Sequence, residues 1–469
     1  MVRDAGAGGE VACGPLRQAP GGGQEVGGTV FNPDSGQPVY WDRRALTTEF
    51  QRVLDVCHGC RRCWNLCPSF GNLFKRIDQI EDAQTSAAGG MSAAERLERA
   101  SSDVKGEGRA AAPQTELARL ENPVDALSEA DRGRVVDDCW QCKLCYNNCP
   151  YHPPHRFALD FPRLLQRYRA VEVKEGRWRW QDTLLARADL IGRLSSGWRA
   201  ALVNRLNASK PYRRLLGAVL GIHPERQLPR FHARTFRDWW DVRGPKARSQ
   251  GRVALFYTCS VEYNWPGIGR AAVHVLEKNG FEVVCPPQSC CGMPFLDAGR
   301  LKSAKAAARR NVARFLPLAQ QGVPIVALGP TCSYMLRQEY PSLLGSEAAR
   351  VVAGAARDVN EFLVALHRKG RLNLSFSSSP ASFAYQAACH LRAQNIGLKG
   401  KELLELLPGA RVSVLERCTA HDGTWSMKRE HFKESMDYAG KLFKALEEAQ
   451  VEQVASDCPL AGLQITQGT

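Results

Sequence analysis

The sequence predicts an α plus α/β architecture, a helical cysteine-rich part followed by two α/β lobes. Three observations carry this. Two runs of four closely spaced cysteines fall within residues 47–160. From residue 252 onward, short apolar strands alternate with amphipathic helices, the α/β pattern. The cysteines that follow those strands recur at a near-constant offset: 130 residues from Cys259 to Cys389, 128 from Cys290 to Cys418 and 126 from Cys332 to Cys458. An offset that barely drifts across three pairs marks a duplication.

In chain order, residues 1–46 read as a flexible arm, rich in Gly and without apolar periodicity. Met1 to Glu10 mix both charge signs and have no apolar core, so no secretory signal is expected. Cys13 stands alone there and reads as an incidental thiol. Residues 47–160 form the helical cysteine module, interrupted by an Ala/Gly/Ser/Glu-rich insertion over 82–115. Residues 161–251 form a basic helical connector. Residues 252–345 form the first lobe, with strands over 253–257 and 325–328. A turn-rich linker over 375–380 leads to the second lobe, 380–469, with strands over 382–385 and 451–455.

The net charge is +15, and the excess is local: residues 163–252 hold 21 Lys/Arg against 7 Asp/Glu. Leu184, Ile191, Trp198, Leu202 and Leu206 fall near one helical face. Arg187, Arg193, Arg199 and Arg205 spread around the helix, and Gly192 and Gly197 weaken it. The first expectation is helices that pack between modules. Membrane-surface contact is the second and nucleic acid the third, since no one-sided basic stripe appears.

No apolar run approaches the ~20 residues that cross a bilayer. A cytoplasmic chain, possible contact with the inner membrane face included, keeps its thiols reduced. Seventeen cysteines, an odd number, then point to ligation or redox chemistry.

The strongest motif is Cys57-x2-Cys60-x2-Cys63-x3-Cys67-Pro68, repeated as Cys139-x2-Cys142-x2-Cys145-x3-Cys149-Pro150. Two-residue gaps let a tight loop wrap three thiolates around one face of an iron–sulfur cubane. The fourth cysteine, before proline, starts a diverging segment and ligates the other cluster in two-cluster ferredoxins. The expected sets are Cys57, Cys60, Cys63 with Cys149, and Cys139, Cys142, Cys145 with Cys67. Zinc sites space their cysteine pairs by a dozen or more residues and fit less well.

In the first lobe, Cys259, Cys290, Cys291 and Cys332 follow strands and read as the ligands of a third cluster, with buried structural thiols as the alternative. Gly292 would let the backbone approach closely. In the second lobe, Cys389, Cys418 and Cys458 take the matching places, but Thr419 stands where a paired cysteine would be. A fourth cluster there would need another ligand, with His390 or His421 as candidates; a lobe without a cluster is the alternative. Cys285 reads as structural.

These motifs, with Gly423–Lys428 and Asp457–Leu460, resemble the iron–sulfur subunits of glycolate oxidase and of anaerobic glycerol-3-phosphate dehydrogenase. They are also similar to the cysteine-rich parts of heterodisulfide reductase, built from "CCG" lobes. The resemblance spans residues ~50 to 469 and implies a two-cluster 4Fe–4S ferredoxin module ahead of two CCG lobes. It implies an electron-transfer subunit of an oxidoreductase complex, relaying electrons from a flavoprotein dehydrogenase to a quinone or another acceptor.

The chain departs from the family's closing Cys-x2-Cys, with Met335 after Cys332 and Ala461 after Cys458. That makes disulfide cleavage by a heterodisulfide-reductase-type enzyme the weaker alternative, alongside a nucleic-acid binder with structural clusters. No dinucleotide fingerprint or phosphate loop is present, and Gly267–Arg270 is too short to be one. No catalytic residue is named, and the donor of electrons is expected to be another polypeptide.

Overall fold

The computed structural model describes residues 35–87, 122–376 and 381–469. Cys13, most of the arm, the insertion beyond residue 87 and the last residues of the linker lie outside them. The chain divides into two compact units: Met1–Cys139 with Asn148–Leu165, and Trp140–Asn147 with Gln166–Thr469.

The regular elements among the first unit's described residues are all helices. The helix Arg43–Cys60 starts where the Asp42 carboxylate accepts from the Ala45 N–H at 2.6 Å, inside the stretch expected to be a flexible arm. Leu46, Phe50, Val53 and Leu54 recur at helical spacing and are buried. Arg61, in the left-handed region at φ 50°, ends the helix within the first cysteine run. The helix Pro68–Ala87 buries Phe70, Leu73, Phe74 and Ile77 on one face. Phe70 stacks on Phe161 with ring centroids 4.5 Å apart. The helix Glu129–Asp137 opens on a reciprocal cap between Ser128 and Asp131, and the Val135 carbonyl accepts from the Ser69 hydroxyl at 2.7 Å.

The second unit contains two parallel sheets. In the first lobe β1 (Arg252–Phe256), β2 (Glu282–Val284), β3 (Ile325–Ala327) and β4 (Ala356–Asp358) pair in the order β2-β1-β3-β4. All its pairings are parallel. The apolar residues of β1 and β3 are fully enclosed, as central parallel strands covered by helices must be. β4 carries the sheet past residue 345, where the sequence repeat placed the lobe's end. Its three residues, Ala-Arg-Asp, have no apolar run, so pairing with β3 makes the strand.

In the second lobe β5 (Ser382–Gln386), β6 (Arg411–Leu415) and β7 (Gln453–Ser456) pair in parallel in the order β6-β5-β7. In both lobes the first strand lies inside its sheet, with neighbours that follow it in sequence on either side. That arrangement puts the loops after the strands together at one edge, where α/β folds build sites.

The connector is a series of short helices: Trp180–Leu185, Ala188–Ser195, Ala200–Asn207, Lys210–Leu220 and Phe236–Arg243. Gly192 weakens helix propensity and also has a packing role. A Cβ there would come within 2.1 Å of the Tyr263 ring, so its absence lets the connector close onto the first lobe.

Candidate functional site

All sixteen described cysteines are free thiols. In the first unit Cys57 and Cys60 occupy the last turn of the helix Arg43–Cys60, three residues apart and so on one face. Burial pushes the Cys57 thiol well up, and the charges of Cys63, Cys149 and Cys60 push it further. Cys149, from the other run, is raised by burial and by Cys60. Cys57, Cys60, Cys63 and Cys149 therefore gather in one place. Cys67 and Cys139 belong to the first unit as well, and Cys142 and Cys145 to the second.

In the first lobe Cys259 opens the short helix after β1, capped by Thr258, whose backbone sits at φ 65°. The Cys259 and Cys290 sulfurs are 3.8 Å apart. Hydrogen bonds from Cys259 and Cys291 hold Cys290 well below an ordinary thiol. Sharing those bonds pushes Cys259 and Cys291 up, with Cys332 adding its charge to both. The double-cysteine loop is pinned from several sides. The Asp189 carboxylate of the connector accepts from the Cys290 N–H at 2.5 Å. Asn311 accepts from the Ser289 N–H at 3.0 Å, and the Tyr340 hydroxyl donates to the Cys291 carbonyl at 2.9 Å. Gly292 sits at φ 95°, and a Cβ there would lie 3.2 Å from that of Ala307. Cys285, buried just after β2, packs into the apolar core, and burial raises its thiol.

The second lobe gathers three thiols. Burial pushes Cys389 well up, followed by the charges of Cys142, Cys418 and Cys458. Cys418 is pushed up to about 12 by burial, then by Cys142, although the Ala420 N–H points at its sulfur from 3.3 Å. Cys458 is raised by burial and feels Asp457 and Cys332. Thr419 is buried without adding a thiol. The two histidine candidates are engaged with other groups. His390 has Nε2 at 3.1 Å from the Gln141 carbonyl and Nδ1 at 2.9 Å from the Thr331 hydroxyl. Burial, then the Lys143 charge, lowers its pKa to about 4 and holds it neutral. The Nδ1 of His421 accepts from the Gly423 N–H at 3.2 Å, and burial lowers that ring to about 3.

Grouped, desolvated thiols that raise one another's pKa suit a multivalent cation. Ligation needs the thiolate, and only a positive core relieves the repulsion of several thiolates in one low-dielectric place. The donor sets fit iron–sulfur clusters on that ground.

The family model of the CCG cysteine-rich domain matches residues 253–337 and 383–466. Over 314 residues the chain is 32% identical to one of the subunits of the anaerobic glycerol-3-phosphate dehydrogenase of Escherichia coli, covering 65% of this chain and 77% of that protein. The chain belongs to the CCG family. Lactate utilization protein A of Geobacillus thermodenitrificans is 28% identical over 219 residues, 44% of this chain and 87% of its own length. One of the subunits of the CoM/CoB fumarate reductase of Methanothermobacter marburgensis is 28% identical over 222 residues, 46% of this chain and 41% of its own. The two matched segments of the CCG model take in β1–β3 of the first sheet and β5–β7 of the second, so the duplication read from the cysteine offsets is the repeat of this domain.

Sequence reasoning did not find the residues that hold the CCG loops: Asp189, Asn311, Tyr340 and Thr331. Their partners lie 101, 22, 49 and 59 residues away, beyond any local pattern.

Proposed function

We propose that this chain is the iron–sulfur electron-transfer subunit of an oxidoreductase complex, relaying electrons from a flavoprotein dehydrogenase to a quinone or another acceptor. The observation that carries this reading is the gathering of free, desolvated thiols into separate sets within one chain. When bound, 4Fe–4S clusters at these sets take up and release one electron each. Cys57, Cys60, Cys63 and Cys149 would hold the first. Cys139, Cys142, Cys145 and Cys67 would hold the second, on the strength of their spacing. Cys259, Cys290, Cys291 and Cys332 would hold a third. Cys389, Cys418 and Cys458 offer three thiols to a fourth, whose last corner would be left to a non-protein ligand.

The protein's own part is to fix these thiols and exclude water. Asn311, Tyr340 and Asp189 hold the double-cysteine loop in place. The names of the relatives support a partner subunit that carries the dehydrogenase chemistry.

No helix among the described residues is long and apolar enough to cross a membrane. Peripheral contact is supported by the connector, where Leu194, Trp198, Leu202, Leu206, Leu215 and Val219 are exposed, Trp198 at 84%. Beside them a cleft of about 1060 Å³ is lined by Arg205, Lys210, Arg213, Arg214 and Arg230 among others. Apolar side chains to enter the acyl boundary and cations to meet anionic headgroups are what an interfacial surface needs.

The reading is tested by anaerobic purification with iron and sulfide analysis. About 8 iron atoms per chain are expected from the two cysteine runs, and more with the lobes loaded. The visible absorption bleaches with dithionite and returns with a quinone. Stoichiometric zinc without iron overturns it.

A further inference from the structure

His390 follows one cysteine in the chain and touches the neighbours of two others. Its own chain neighbour is Cys389. Its Nδ1 meets Thr331, next to Cys332 of the first lobe, and its Nε2 meets the carbonyl of Gln141, next to Cys142. A carbonyl only accepts, so Nε2 carries the hydrogen and donates it, and Nδ1 accepts from the Thr331 hydroxyl. Both ring nitrogens are used, and the ring also stacks on Tyr334 with centroids 5.3 Å apart.

The segment it grips is strained. Gln141 and Lys143, on either side of Cys142, both lie in the left-handed region, at φ 53° and 64°. Non-glycine residues stay there only where the surroundings over-determine them. Here the surroundings are the second lobe and its neighbours. His390 takes the Gln141 carbonyl. The Lys143 ammonium donates to the Gln141 side chain at 2.7 Å and pairs with buried Glu339 at 3.6 Å. Trp140 meets the rings of Trp425 and Tyr438 edge-on, with centroids at 5.4 and 4.9 Å. Asn147 donates to the carbonyls of Arg392 and Ala393 at 3.0 and 3.2 Å. Gln394, just past the helix Cys389–Ala393, ties it to Pro330 and Ser333 of the first lobe at 3.2 and 2.9 Å.

We propose that His390 is a positioning residue that locks the loops of Cys142, Cys332 and Cys389 into one register, making the second lobe the junction through which electrons pass between the second cysteine run and the first lobe. This rests on reading the cysteine sets as cluster ligands. In each step one electron leaves a reduced centre and enters its oxidised neighbour. No bond forms or breaks, and His390 stays neutral and exchanges no proton. On this reading the histidine orients the residues that ligate and does not itself complete a cluster.

The test uses the full chain, loaded with iron under anaerobic conditions. Iron content, the EPR spectrum of the reduced protein and the rate of reoxidation by a soluble quinone are measured. His390→Leu removes both hydrogen bonds, Thr331→Val removes one at nearly constant shape, and His390→Gln can restore donation to the Gln141 carbonyl. His390→Leu is expected to alter the magnetic coupling between centres and slow reoxidation by about 10- to 100-fold, the range for lost partners of metal-bound groups. Thr331→Val shifts both in the same direction by less, and His390→Gln recovers part of the loss. Should His390→Leu fail to fold, Thr331→Val and His390→Gln decide. Wild-type spectra and rates in the folded variants overturn the proposal, as does nitrogen hyperfine coupling that shows His390 bound to iron. Wild-type protein that takes up no iron fails the earlier reading instead, and is seen before any variant is made.

Discussion

Asn311 donates its side-chain amide to the hydroxyl of Tyr340 at 2.9 Å, both residues fully buried. That hydroxyl passes its own hydrogen to the Cys291 carbonyl, also at 2.9 Å. The pair thus fixes the double-cysteine loop to the helix Leu301–Gln320 and to the helix Tyr340–Leu344. Tyr340→Phe leaves the Cys291 carbonyl without this donor and is expected to cost about 1–3 kcal/mol. Thermal unfolding measures the loss, and iron content should fall in the first lobe while the cysteine runs keep theirs.

Cys149 shares its surroundings with Cys57 and Cys60 of the other run. Cys149→Ser should therefore damage the centre held by Cys57, Cys60 and Cys63 and spare that of its own neighbours in sequence. EPR of the reduced variant checks this. Loss confined to the Cys139, Cys142 and Cys145 centre would reverse the assignment.

The two lobes should differ in how firmly they keep iron. The first offers four grouped thiols and the second three. Cys291→Ala is expected to remove a stably bound cluster, seen as about 4 iron atoms fewer per chain. Cys418→Ala should remove only an oxygen-labile one or leave the count unchanged. Iron analysis before and after air exposure separates the two.

Burial raises the Asp297 carboxyl to about 7, with Lys143 and Arg169 pulling the other way. One of its oxygens has no hydrogen-bond partner. An acid whose pKa is higher folded than unfolded binds its proton better in the folded state. Folding stability therefore falls as pH rises from about 4, the unfolded value, to about 7, and the cost persists above that. Asp297→Asn should flatten this slope and stabilise the chain at pH 8 by up to about 4 kcal/mol. Urea unfolding at about pH 5 and about pH 8 gives the difference, and equal slopes in wild type and variant would refute it.

Trp198 and Leu202 stand at 84% and 58% exposure on the connector. Leu202→Ser should weaken binding to anionic vesicles by about tenfold or more, from the roughly 1.5–3 kcal/mol of burying such a side chain. Trp198→Ser should act in the same direction. Co-sedimentation with vesicles of anionic and neutral lipid measures it; no binding of the wild type to either removes the membrane from the reading.

Much of this was legible in the sequence because the signals are local or periodic. The strand over 253–257 is found at Arg252–Phe256, the one over 325–328 at Ile325–Ala327, and the cysteine offsets follow a domain repeat. β4 was not legible, since Ala-Arg-Asp has no strand character apart from its partner. The connector's division into short helices was hidden for a related reason. Its apolar positions suit one continuous face, while the chain breaks between Ser195 and Ala200 and again between Asn207 and Lys210. His390 was visible as a candidate, but its role depends on Thr331 and Gln141, which no spacing rule links to it.

The spread of the first lobe's thiols along the chain also bears on biogenesis. Cys57, Cys60 and Cys63 lie within seven residues, so a nascent chain can bring them together as soon as they emerge. Cys259, Cys290, Cys291 and Cys332 meet only after β3 has paired with β1, a non-local closure that follows most of the lobe's synthesis. On the proposed ligand sets, loading would be ordered: the N-terminal set would be complete once Cys149 emerges, and the first lobe's set only after its sheet has formed.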